Sequence, residues 1–292
     1  MKRPPLQLEH LDAWLEEREG QYDDLRPDAH ARIVWQGGER RRRSFAIVYL
    51  HGFSASPMET SPVCERLAGP LHANVYYPRL TGHGRGPEAL SEGNAKTWIE
   101  DAREAMAIGR RIGERVILVG TSTGGTLATL LAASGRVPEL AALILIAPNF
   151  GLVDRRSALL GLPAASRWIH WLVGRERVIE AENEAHARYW TLRYATHTLV
   201  AMYALVRKVR RVAMEGIDVP VLAIFSDADQ VVDASRTRSM LARVKDAECM
   251  VVPDGGSGSQ HVVVGDAFGA ENTDAVVARS LEFLTARGIN PV

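Results

Sequence analysis

The sequence predicts an α/β protein with a doubly wound, mostly parallel sheet and a helical cap inserted into it. Six short apolar runs do not alternate with polar residues, a pattern typical of strands that are buried on both faces. Amphipathic stretches lie between most of these runs, and strands that alternate with helices favour a parallel sheet covered by helices. The alternation stops once, over residues 153–212, where only helical patterns rich in aromatic residues are found.

Length and composition agree with a folded globular protein. The chain has 292 residues, of which 46% are hydrophobic and 24% are charged, and both values are close to the average of globular proteins. This length allows one large or two small domains and a sizeable core. We expect a core formed by residues 1–152 and 213–292, with residues 153–212 inserted as a cap over the ends of the sheet.

Charge and cysteine content exclude several classes of function. The 35 Lys and Arg residues balance the 35 Asp and Glu residues, so the chain lacks the long-range positive field of nucleic-acid binders. We therefore expect no nucleic-acid partner. Cys64 and Cys249 lie far apart in the sequence, which disfavours a disulfide framework and a cysteine-based zinc site.

No segment has the pattern of a leader or of a membrane span. Lys2 and Arg3 are followed by prolines and polar residues, where a signal peptide needs an apolar stretch. The most apolar run, residues 140–147, is too short to cross a bilayer as a helix. We expect a cytoplasmic protein without stable membrane insertion, and the sequence leaves its oligomeric state open.

The N-terminal elements are predicted to be a helix and a short strand. Residues 8–17 have leucines at helical spacing with acidic residues between them. Residues 32–36 are typical of a short strand, and two glycines at positions 37 and 38 mark a turn. We interpret the arginines at positions 40–43 as the solvated end of a hairpin rather than as a phosphate site.

The elements of the predicted sheet follow. Residues 56–59 have the pattern of a capping box with proline at the first helical position, and Pro62 is expected to kink or shorten that helix. Asn94 is expected to cap a helix that runs to about Ile112, and further helices are expected at residues 124–133 and 274–286. The six strands are predicted at residues 46–50, 75–77, 116–119, 143–146, 221–225 and 250–252.

The strongest chemical signal is the run Gly120-Thr121-Ser122-Thr123-Gly124, between the third of these strands and a helix. It has the G-x-S-x-G form in the strand-turn-helix setting that places a serine on a sharp turn. Glycine is needed at both ends because the backbone of such a turn is strained and bulkier residues would collide with neighbouring elements. Ser122 is therefore the candidate nucleophile, and the helix N-terminus beneath it favours developing negative charge.

A serine nucleophile needs a base, and the base needs an acid that orients it. His261 is the one histidine beyond the fifth predicted strand and lies in a loop of small residues, which makes it the candidate base. Asp229 follows the strand at residues 221–225 and precedes an apolar pair that could anchor its loop, so it is the candidate acid. Asp227 in the same loop and Asp154 after the preceding strand remain alternatives.

Acyl transfer also needs hydrogen-bond donors for the oxyanion. The amide of Thr123, directly after the nucleophile, is the first expected donor. The second is the amide of Phe53, because Gly52 permits a close approach of the backbone in the loop after the first sheet strand. We expect His51 to brace that turn, and we expect a structural role for His83, for which a role in ligand binding stays open.

These residues resemble the α/β-hydrolase superfamily from about residue 45 to the C-terminus. The resemblance lies in the order serine, aspartate, histidine, in the His-Gly pair at position 51, and in the Gly-His-Gly loop at position 82. The runs HGFSASP at 51–57 and PRLTGHG at 78–84, with Pro87-Glu88 and Trp98, are similar to the bacterial carboxylesterase and monoacylglycerol-lipase-like branch.

The resemblance implies the α/β-hydrolase fold and hydrolysis of carboxylic esters without a cofactor. It assigns Ser122, Asp229 and His261 as the catalytic triad and the amides of Phe53 and Thr123 as the oxyanion donors. No histidine pair has the spacing of a helical zinc site and no Walker-type loop is present, so neither a metal nor a cofactor is predicted.

We therefore expect a serine hydrolase that cleaves small-molecule esters, namely short- to medium-chain acyl esters or monoacylglycerols, through an acyl-enzyme on Ser122. A thioesterase, an acyltransferase or a carbon–carbon bond hydrolase could use the same triad. A receptor that binds its ligand without turnover is the alternative from another class. Epoxide hydrolases and haloalkane dehalogenases of this fold use an aspartate nucleophile, as the resemblance implies, so Ser122 disfavours them.

Two departures from the branch concern the substrate rather than the reaction. Thr121 and Thr123 flank Ser122, where the branch often has leucine or histidine before the serine and methionine or leucine after it. The cap is also longer than in the smallest esterases of the branch. The aromatic residues expected either to pack the cap onto the core or to line an acyl pocket are Trp168, Trp171, Trp190 and Tyr194.

Overall fold

The computed structural model describes residues 4–290, so Lys2 and Arg3, used above in the argument against a leader, lie outside the described residues. The strands within them are β1 (Arg32–Val34), β2 (Arg43–Leu50), β3 (Asn74–Tyr77), β4 (Gly113–Thr121), β5 (Leu140–Ile146), β6 (Glu176–Val178), β7 (Arg193–Ala195), β8 (Val221–Phe225) and β9 (Ala247–Val251). The helices are α1 (Leu11–Glu19), α2 (Val63–Leu71), α3 (Ala95–Ile112), α4 (Thr123–Ala132), α5 (Ala165–Val173), α6 (Glu184–Tyr189), α7 (Thr198–Val209), α8 (Ala234–Leu241) and α9 (Ala270–Thr285).

A seven-stranded sheet lies at the centre of the fold, with its strands in the order β1-β3-β2-β4-β5-β8-β9. The edge strand β1 is antiparallel to β3, and every other neighbouring pair is parallel. The predicted mostly parallel sheet is confirmed. Because the carboxyl ends of parallel strands meet at one edge, the loops after β2, β4, β8 and β9 come together there.

Helices cover both faces of this sheet. Successive side chains of a strand point to opposite faces, and in β2 the residues Val48 and Leu50 belong to an apolar layer with α3, α4 and α7. Ile47 and Tyr49 belong to the opposite layer, which contains α2 and α9. The last six residues of β2 are all buried, as expected for a strand covered on both sides.

Most predicted elements are found at their expected places. The six predicted strands correspond to β2, β3, β4, β5, β8 and β9, and the run at residues 221–225 coincides with β8. Asn94 caps α3, since its Oδ1 accepts the amides of Lys96 and Thr97 at 2.9 and 3.2 Å. Among residues 4–290, no helix combines the length and the apolar character needed to span a lipid bilayer.

The helix predicted from a capping box at residues 56–59 is wrong. This part of the chain forms turns, and α2 begins only at Val63, directly after Pro62. The physical reason is the side chain of Glu59. Its carboxylate does not return to the amide of Ser56 but accepts the amide of Gly52 at 2.7 Å.

The hairpin interpretation of residues 32–43 is wrong as well. β1 pairs with β3 on the other side of the turn, with Ile33 opposite Tyr76, so β1 and β2 are not neighbours. The arginines at positions 40–42 are exposed, as expected, while Arg43 is partly buried. Arg40 lies 2.5 Å from Asp12, and Arg42 donates to the carbonyls of Gly113 and Arg110.

The segment of residues 153–212 is not purely helical, contrary to the prediction. It contains a 3-10 turn at Arg155–Gly161, then α5, β6, α6, β7 and α7, and β6 pairs with β7 in a separate antiparallel ribbon. Each of these strands has three residues, and β6 is exposed throughout, so neither has the apolar run by which strands are detected in a sequence. At the end of the segment, α7 packs against α4.

Candidate active site

Ser122 occupies a strained turn between β4 and α4. Its backbone dihedral angles are φ 50° and ψ −112°, a conformation with positive φ that a residue other than glycine rarely adopts. The two flanking glycines have no room for a side chain. A Cβ at Gly124 would lie 1.8 Å from the carbonyl oxygen of Leu50, and one at Gly120 would lie 2.6 Å from that of Gly124. The turn therefore requires the G-x-S-x-G pattern.

The structure brings Ser122, His261 and Asp229 together in one chain of hydrogen bonds. The Oγ of Ser122 lies 3.0 Å from Nε2 of His261, and Nδ1 of His261 lies 2.7 Å from Oδ2 of Asp229. With the Nδ1 proton donated to the carboxylate, Nε2 is free to accept the proton of the serine hydroxyl. This is the geometry that activates a serine as a nucleophile.

Backbone groups fix Asp229 in its position. Its side chain is 0% exposed, and Oδ1 accepts the amides of Val231 and Val232 at 2.7 and 2.9 Å. Val232 is buried and pairs with Leu152 of the loop after β5, while Val231 is exposed. One oxygen of the carboxylate is therefore held by the loop, and the other is left for His261.

The loop of His261 is connected to the loop of Asp229. The amide of Gln230 donates to the carbonyl of Ser259 at 2.9 Å, and the amide of His261 donates to Oγ of Ser257 at 3.1 Å. These bonds fix the backbone of His261 and so hold its imidazole beside Ser122. A group that transfers a proton needs such a fixed position.

The two alternative acids do not contact His261. Asp227 is exposed and forms two hydrogen bonds of 2.7 Å with Arg238. Asp154 is also exposed, accepts the amide of Arg156 and forms an ion pair with its guanidinium. Among the three candidates, the structure places Asp229 next to the imidazole.

Thr123, directly after the nucleophile, and Phe53, in the loop after β2, carry the two amides expected as oxyanion donors. Thr123 is the first residue of α4, where amides have no acceptor within the helix. Within residues 4–290, neither this amide nor that of Phe53 donates to another protein group. Both are therefore available as hydrogen-bond donors, while the Thr123 hydroxyl is buried and also lacks a partner among these residues.

His51 braces the loop of Phe53 through both ring nitrogens. Nδ1 lies 2.9 Å from the carbonyl oxygen of Gly52, and Nε2 accepts the amide of Leu80 at 3.1 Å. Burial lowers the pKa of His51 to about 4, so the ring is neutral near pH 7 and Nδ1 carries the proton that is donated to Gly52.

His83 belongs to an aromatic cluster rather than to the hydrogen-bonded chain. Its ring packs edge-on against those of His51, Phe53 and Trp98 at centroid distances of 5.0, 6.0 and 5.5 Å. Burial holds the pKa of His83 well below its usual value, and the neighbouring His51 adds to this effect. These contacts describe a packing role for a neutral ring.

Glu59 is a site residue that sequence reasoning missed. It is 3% exposed, and its Oε2 accepts the Tyr49 hydroxyl as well as the Gly52 amide. Burial raises the pKa of Glu59 to about 7, while its hydrogen bonds with Gly52 and Tyr49 act in the opposite direction. A signal was available in Pro62, because a proline in the interior of the predicted helix removes a backbone hydrogen bond and so disfavours the helix that Glu59 would cap.

The inserted segment reaches the site through Tyr194 and Thr191. The Tyr194 ring packs edge-on against Phe53 at 5.3 Å, and the amide of Thr191 donates to the carbonyl of Ser54 at 2.7 Å. The tryptophans of the segment lie elsewhere: Trp190 is buried against His186 and Phe268, Trp168 is partly buried, and Trp171 is 79% exposed.

A cavity of about 590 Å³ is lined by the inserted segment together with Leu152 of the loop after β5. Asn149 contacts both the nucleophile and the cavity wall: its amide donates to the carbonyl of Ser122 at 3.0 Å, and its Nδ2 lies 3.3 Å from Sδ of Met202. None of the predicted aromatic residues lines the cavity. Its wall combines aliphatic side chains with the polar ones of Asp154, Arg156 and Arg177, and the main apolar residues are Leu152, Leu160, Ile169, Leu172, Leu199 and Met202.

The comparisons with known proteins point to one family. The sequence matches the model of the alpha/beta hydrolase family over residues 47–279. The thermostable monoacylglycerol lipase of Bacillus sp. (strain H-257) is 23% identical over 237 residues, which cover 81% of this chain and 89% of the lipase.

Solved structures resemble this chain over nearly its whole length. A metagenome-derived lipolytic enzyme is 20% identical with a TM-score of 0.67, covering 90% of this chain and 99% of the other. A soluble variant of the monoglyceride lipase from Saccharomyces cerevisiae, in complex with a substrate analog, is 14% identical with a TM-score of 0.64, covering 98% and 96%. At these identities the likeness establishes the fold.

Proposed function

The chain belongs to the alpha/beta hydrolase family, and from this premise we propose that it is a serine hydrolase that cleaves carboxylic esters through an acyl-enzyme on Ser122. The observation that carries the proposal is the pair of contacts made by His261, at 3.0 Å to Ser122 and at 2.7 Å to Asp229. The names of the relatives, a monoacylglycerol lipase and a lipolytic enzyme, support ester substrates.

The reaction proceeds in two halves. Nε2 of His261 takes the proton of the Ser122 hydroxyl as its oxygen attacks the ester carbonyl, and Asp229 stabilises the resulting imidazolium. The imidazolium then protonates the departing alcohol, which leaves an acyl group on Ser122. In the second half, His261 deprotonates a water molecule that attacks the acyl-enzyme, and the carboxylic acid is released.

The negative charge of both tetrahedral intermediates is bound by the amides of Phe53 and Thr123. Neither amide has another acceptor within residues 4–290, so both can donate to the oxyanion without breaking an existing bond. Loss of one such donor typically lowers kcat by about 10²–10³-fold.

The inserted segment, residues 153–212, acts as the cap that selects the acyl group. The cavity lined by this segment has a volume of about 590 Å³, within the range of small-molecule sites, and the aliphatic part of its wall suits a short- to medium-chain acyl group. Each methylene buried there contributes about 0.8 kcal/mol, so kcat/KM is expected to rise from acetyl to medium-chain esters and to fall once the cavity is full. Monoacylglycerols of this chain length are the substrate class that fits best.

The test is labelling and turnover of the purified protein. A fluorophosphonate is expected to form one covalent adduct with the wild type and none with Ser122→Ala. The wild type is expected to turn over p-nitrophenyl butyrate many times, and the variant to lose activity by about 10⁴-fold or more. Ser239→Ala, on the exposed side of α8, is the control for substitution of a serine as such. A wild type that is labelled but does not turn over esters would support a receptor instead.

A further inference from the structure

Glu59 is a buried carboxylate that the reaction proposed above does not use. It lies in the turns between β2 and α2 and is 3% exposed. Removing a carboxylate from water is unfavourable unless hydrogen bonds compensate for the lost hydration. Its hydrogen-bond partners are therefore the place to look for its role.

Both partners of Glu59 bind the same oxygen. Oε2 accepts the Gly52 amide at 2.7 Å and the Tyr49 hydroxyl at 2.9 Å. The contact with Gly52 leaves no space for a side chain there, because a Cβ would lie 2.6 Å from Oε1 of Glu59. The carboxylate thus packs directly against the backbone of the residue that precedes Phe53.

The direction of the Phe53 amide depends on how Gly52 is held. A peptide unit is planar, so the carbonyl of Gly52 and the N–H of Phe53 turn together. His51 binds the carbonyl of Gly52 at 2.9 Å, while Glu59 binds its amide. Glycine is the most permissive residue for backbone rotation, and these two contacts fix it on both sides.

At its other end, the same network reaches the residue before the nucleophile. The hydroxyl oxygens of Tyr49 and Thr121 lie 3.0 Å apart, and Thr121 directly precedes Ser122. Tyr49 has one hydroxyl proton, which goes to the carboxylate, so the Thr121 hydroxyl donates to the oxygen of Tyr49. Glu59 and Tyr49 therefore connect the loop of Phe53 to the strand end that carries Ser122.

We propose that Glu59 is a positioning residue for ester hydrolysis, which holds the Phe53 amide at its working distance and direction from Ser122. The proposal rests on the function proposed above. Donors act on an oxyanion at about 2.7–3.1 Å, and a displacement of about 1 Å can lower the rate about 10²-fold. An acceptor that fixes the donor loop therefore contributes to the rate without touching the substrate.

A charge effect supports the same assignment. Burial is the largest influence on the pKa of Glu59 and raises it, and a protonated His261 is a smaller influence that lowers it. When both groups are ionised, the carboxylate and the imidazolium therefore attract each other. The imidazolium forms as Ser122 attacks, so this attraction favours the transition state over the ground state. Glu59→Gln separates the two contributions, because a single carboxamide oxygen in the place of Oε2 can accept both hydrogen bonds without a charge.

The experiment measures kcat, KM and the inhibition constant Ki of an alkyl trifluoromethyl ketone, whose adduct with a serine carries an oxyanion. We expect Glu59→Leu to lower kcat about 10²-fold with little change in KM, and to raise Ki by a similar factor. Tyr49→Phe, which breaks the link to Thr121, is expected to lower kcat about 10-fold, and Glu59→Gln is expected to stay within about 10-fold of the wild type.

Active-site titration with a fluorophosphonate separates positioning from folding. If Glu59 had only a structural role, its replacement would lower the fraction of sites that can be titrated. The kcat per titrated site and the Ki would then be unchanged. Asp101→Asn is the matched control, because the Asp101 carboxylate accepts the Thr81 amide at 2.7 Å in the neighbouring loop. We expect it to lower Tm and to leave kcat and Ki unchanged.

The outcomes separate this proposal from the proposed function. Wild-type kcat and Ki per titrated site in both Glu59→Leu and Tyr49→Phe would overturn the positioning role while the hydrolase survives. If Glu59→Leu does not fold, an unchanged kcat and Ki in Tyr49→Phe overturns it alone. A wild type that neither hydrolyses esters nor is labelled at Ser122 overturns the proposed function instead.

Discussion

The loops that carry Ser122, Asp229 and His261 and the inserted segment at residues 153–212 are built in different ways. In the loops, the side chain of Asp229 is fully buried. Backbone hydrogen bonds connect the loops to each other, from Gln230 to Ser259 at 2.9 Å and from Asn149 to Ser122 at 3.0 Å. In the inserted segment, large apolar side chains lie at the surface, with Trp171 79% exposed and Val178 72% exposed.

The two regions are expected to differ in how well they tolerate substitutions. A buried group with hydrogen bonds on several sides has no freedom to adjust. A substitution there therefore removes the whole contribution of that group to stability or to the rate. An exposed side chain has few partners to lose. We therefore expect effects of several orders of magnitude in the loops and graded effects in the inserted segment, with the exceptions at the points where the segment touches the loops.

The largest expected effect is that of Asp229→Asn. The amide group can keep its contacts with the loop, but it favours the wrong tautomer of His261 and cannot stabilise the imidazolium, so we expect kcat to fall by up to about 10⁴-fold. Asp227→Asn, whose carboxylate binds Arg238 at the surface, and Asp154→Asn are the matched controls and should remain close to the wild type. If either control is the more damaged enzyme in steady-state kinetics, the assignment of the acid is wrong.

The second prediction tests whether the inserted segment selects the acyl group. Leu199 on α7 lines the cavity, and a tryptophan in its place would fill part of it. We expect Leu199→Trp to lower kcat/KM for p-nitrophenyl octanoate about 10-fold or more while the acetate is cleaved normally, because each excluded methylene removes about 0.8 kcal/mol of binding. Ala204→Trp, exposed on the same helix, should leave the chain-length profile unchanged. Identical profiles in all three proteins would locate the acyl group outside the cavity.

Local patterns explain which parts of the molecule can be predicted from the sequence. The buried strands are continuous apolar runs, and the turn at Ser122 needs glycines two residues away on either side, so both can be recognised in short segments. His261 follows from being the one histidine beyond the fifth predicted strand, and the structure places it and Asp229 beside Ser122.

The remaining features depend on contacts that no short segment contains. Glu59 has the local pattern of a helix cap, but its carboxylate accepts the amide of Gly52, which lies outside that pattern. β6 is exposed along its whole length, so its sequence carries no apolar signal. The cavity wall combines residues from the loop after β5, from α5 and from α7. These residues are brought together only by tertiary packing.

The third prediction concerns Tyr194, where the inserted segment touches the loop of Phe53. The two rings pack edge-on at 5.3 Å, so Tyr194→Ala would leave a space beside the loop that presents an oxyanion donor. We expect kcat to fall about 10-fold with the chain-length profile unchanged, because Tyr194 does not line the cavity. Tyr194→Phe keeps the ring and should behave as the wild type. A shifted chain-length optimum in Tyr194→Ala would contradict the separation between the loops and the cavity.

The fourth prediction is a pH dependence of stability that arises in the loops. Burial raises the pKa of Glu59 from 4.5 to about 7 in the folded protein. Folding therefore favours the protonated acid, and this contribution is present below about pH 4.5 and is lost as the pH rises to about 7. Glutamine cannot ionise, so the Tm of Glu59→Gln is expected to rise by several degrees relative to the wild type between pH 5 and pH 8. A constant difference in Tm over this range would mean that Glu59 does not titrate there.

The smallest effect is expected for Trp171→Ala. Trp171 and Tyr194 are aromatic residues of the same inserted segment, but the first is 79% exposed and the second 6% exposed. The indole of Trp171 makes one edge-on ring contact, with His170 at 5.4 Å, so its removal should change the free energy of unfolding by only about 0.5 kcal/mol. Kinetics with soluble esters are expected to stay within about twofold of the wild type, since removal of an exposed side chain leaves both the cavity and the loops intact. If Trp171→Ala lost as much activity as Tyr194→Ala, the contact between Tyr194 and the loop of Phe53 would not be what determines the rate.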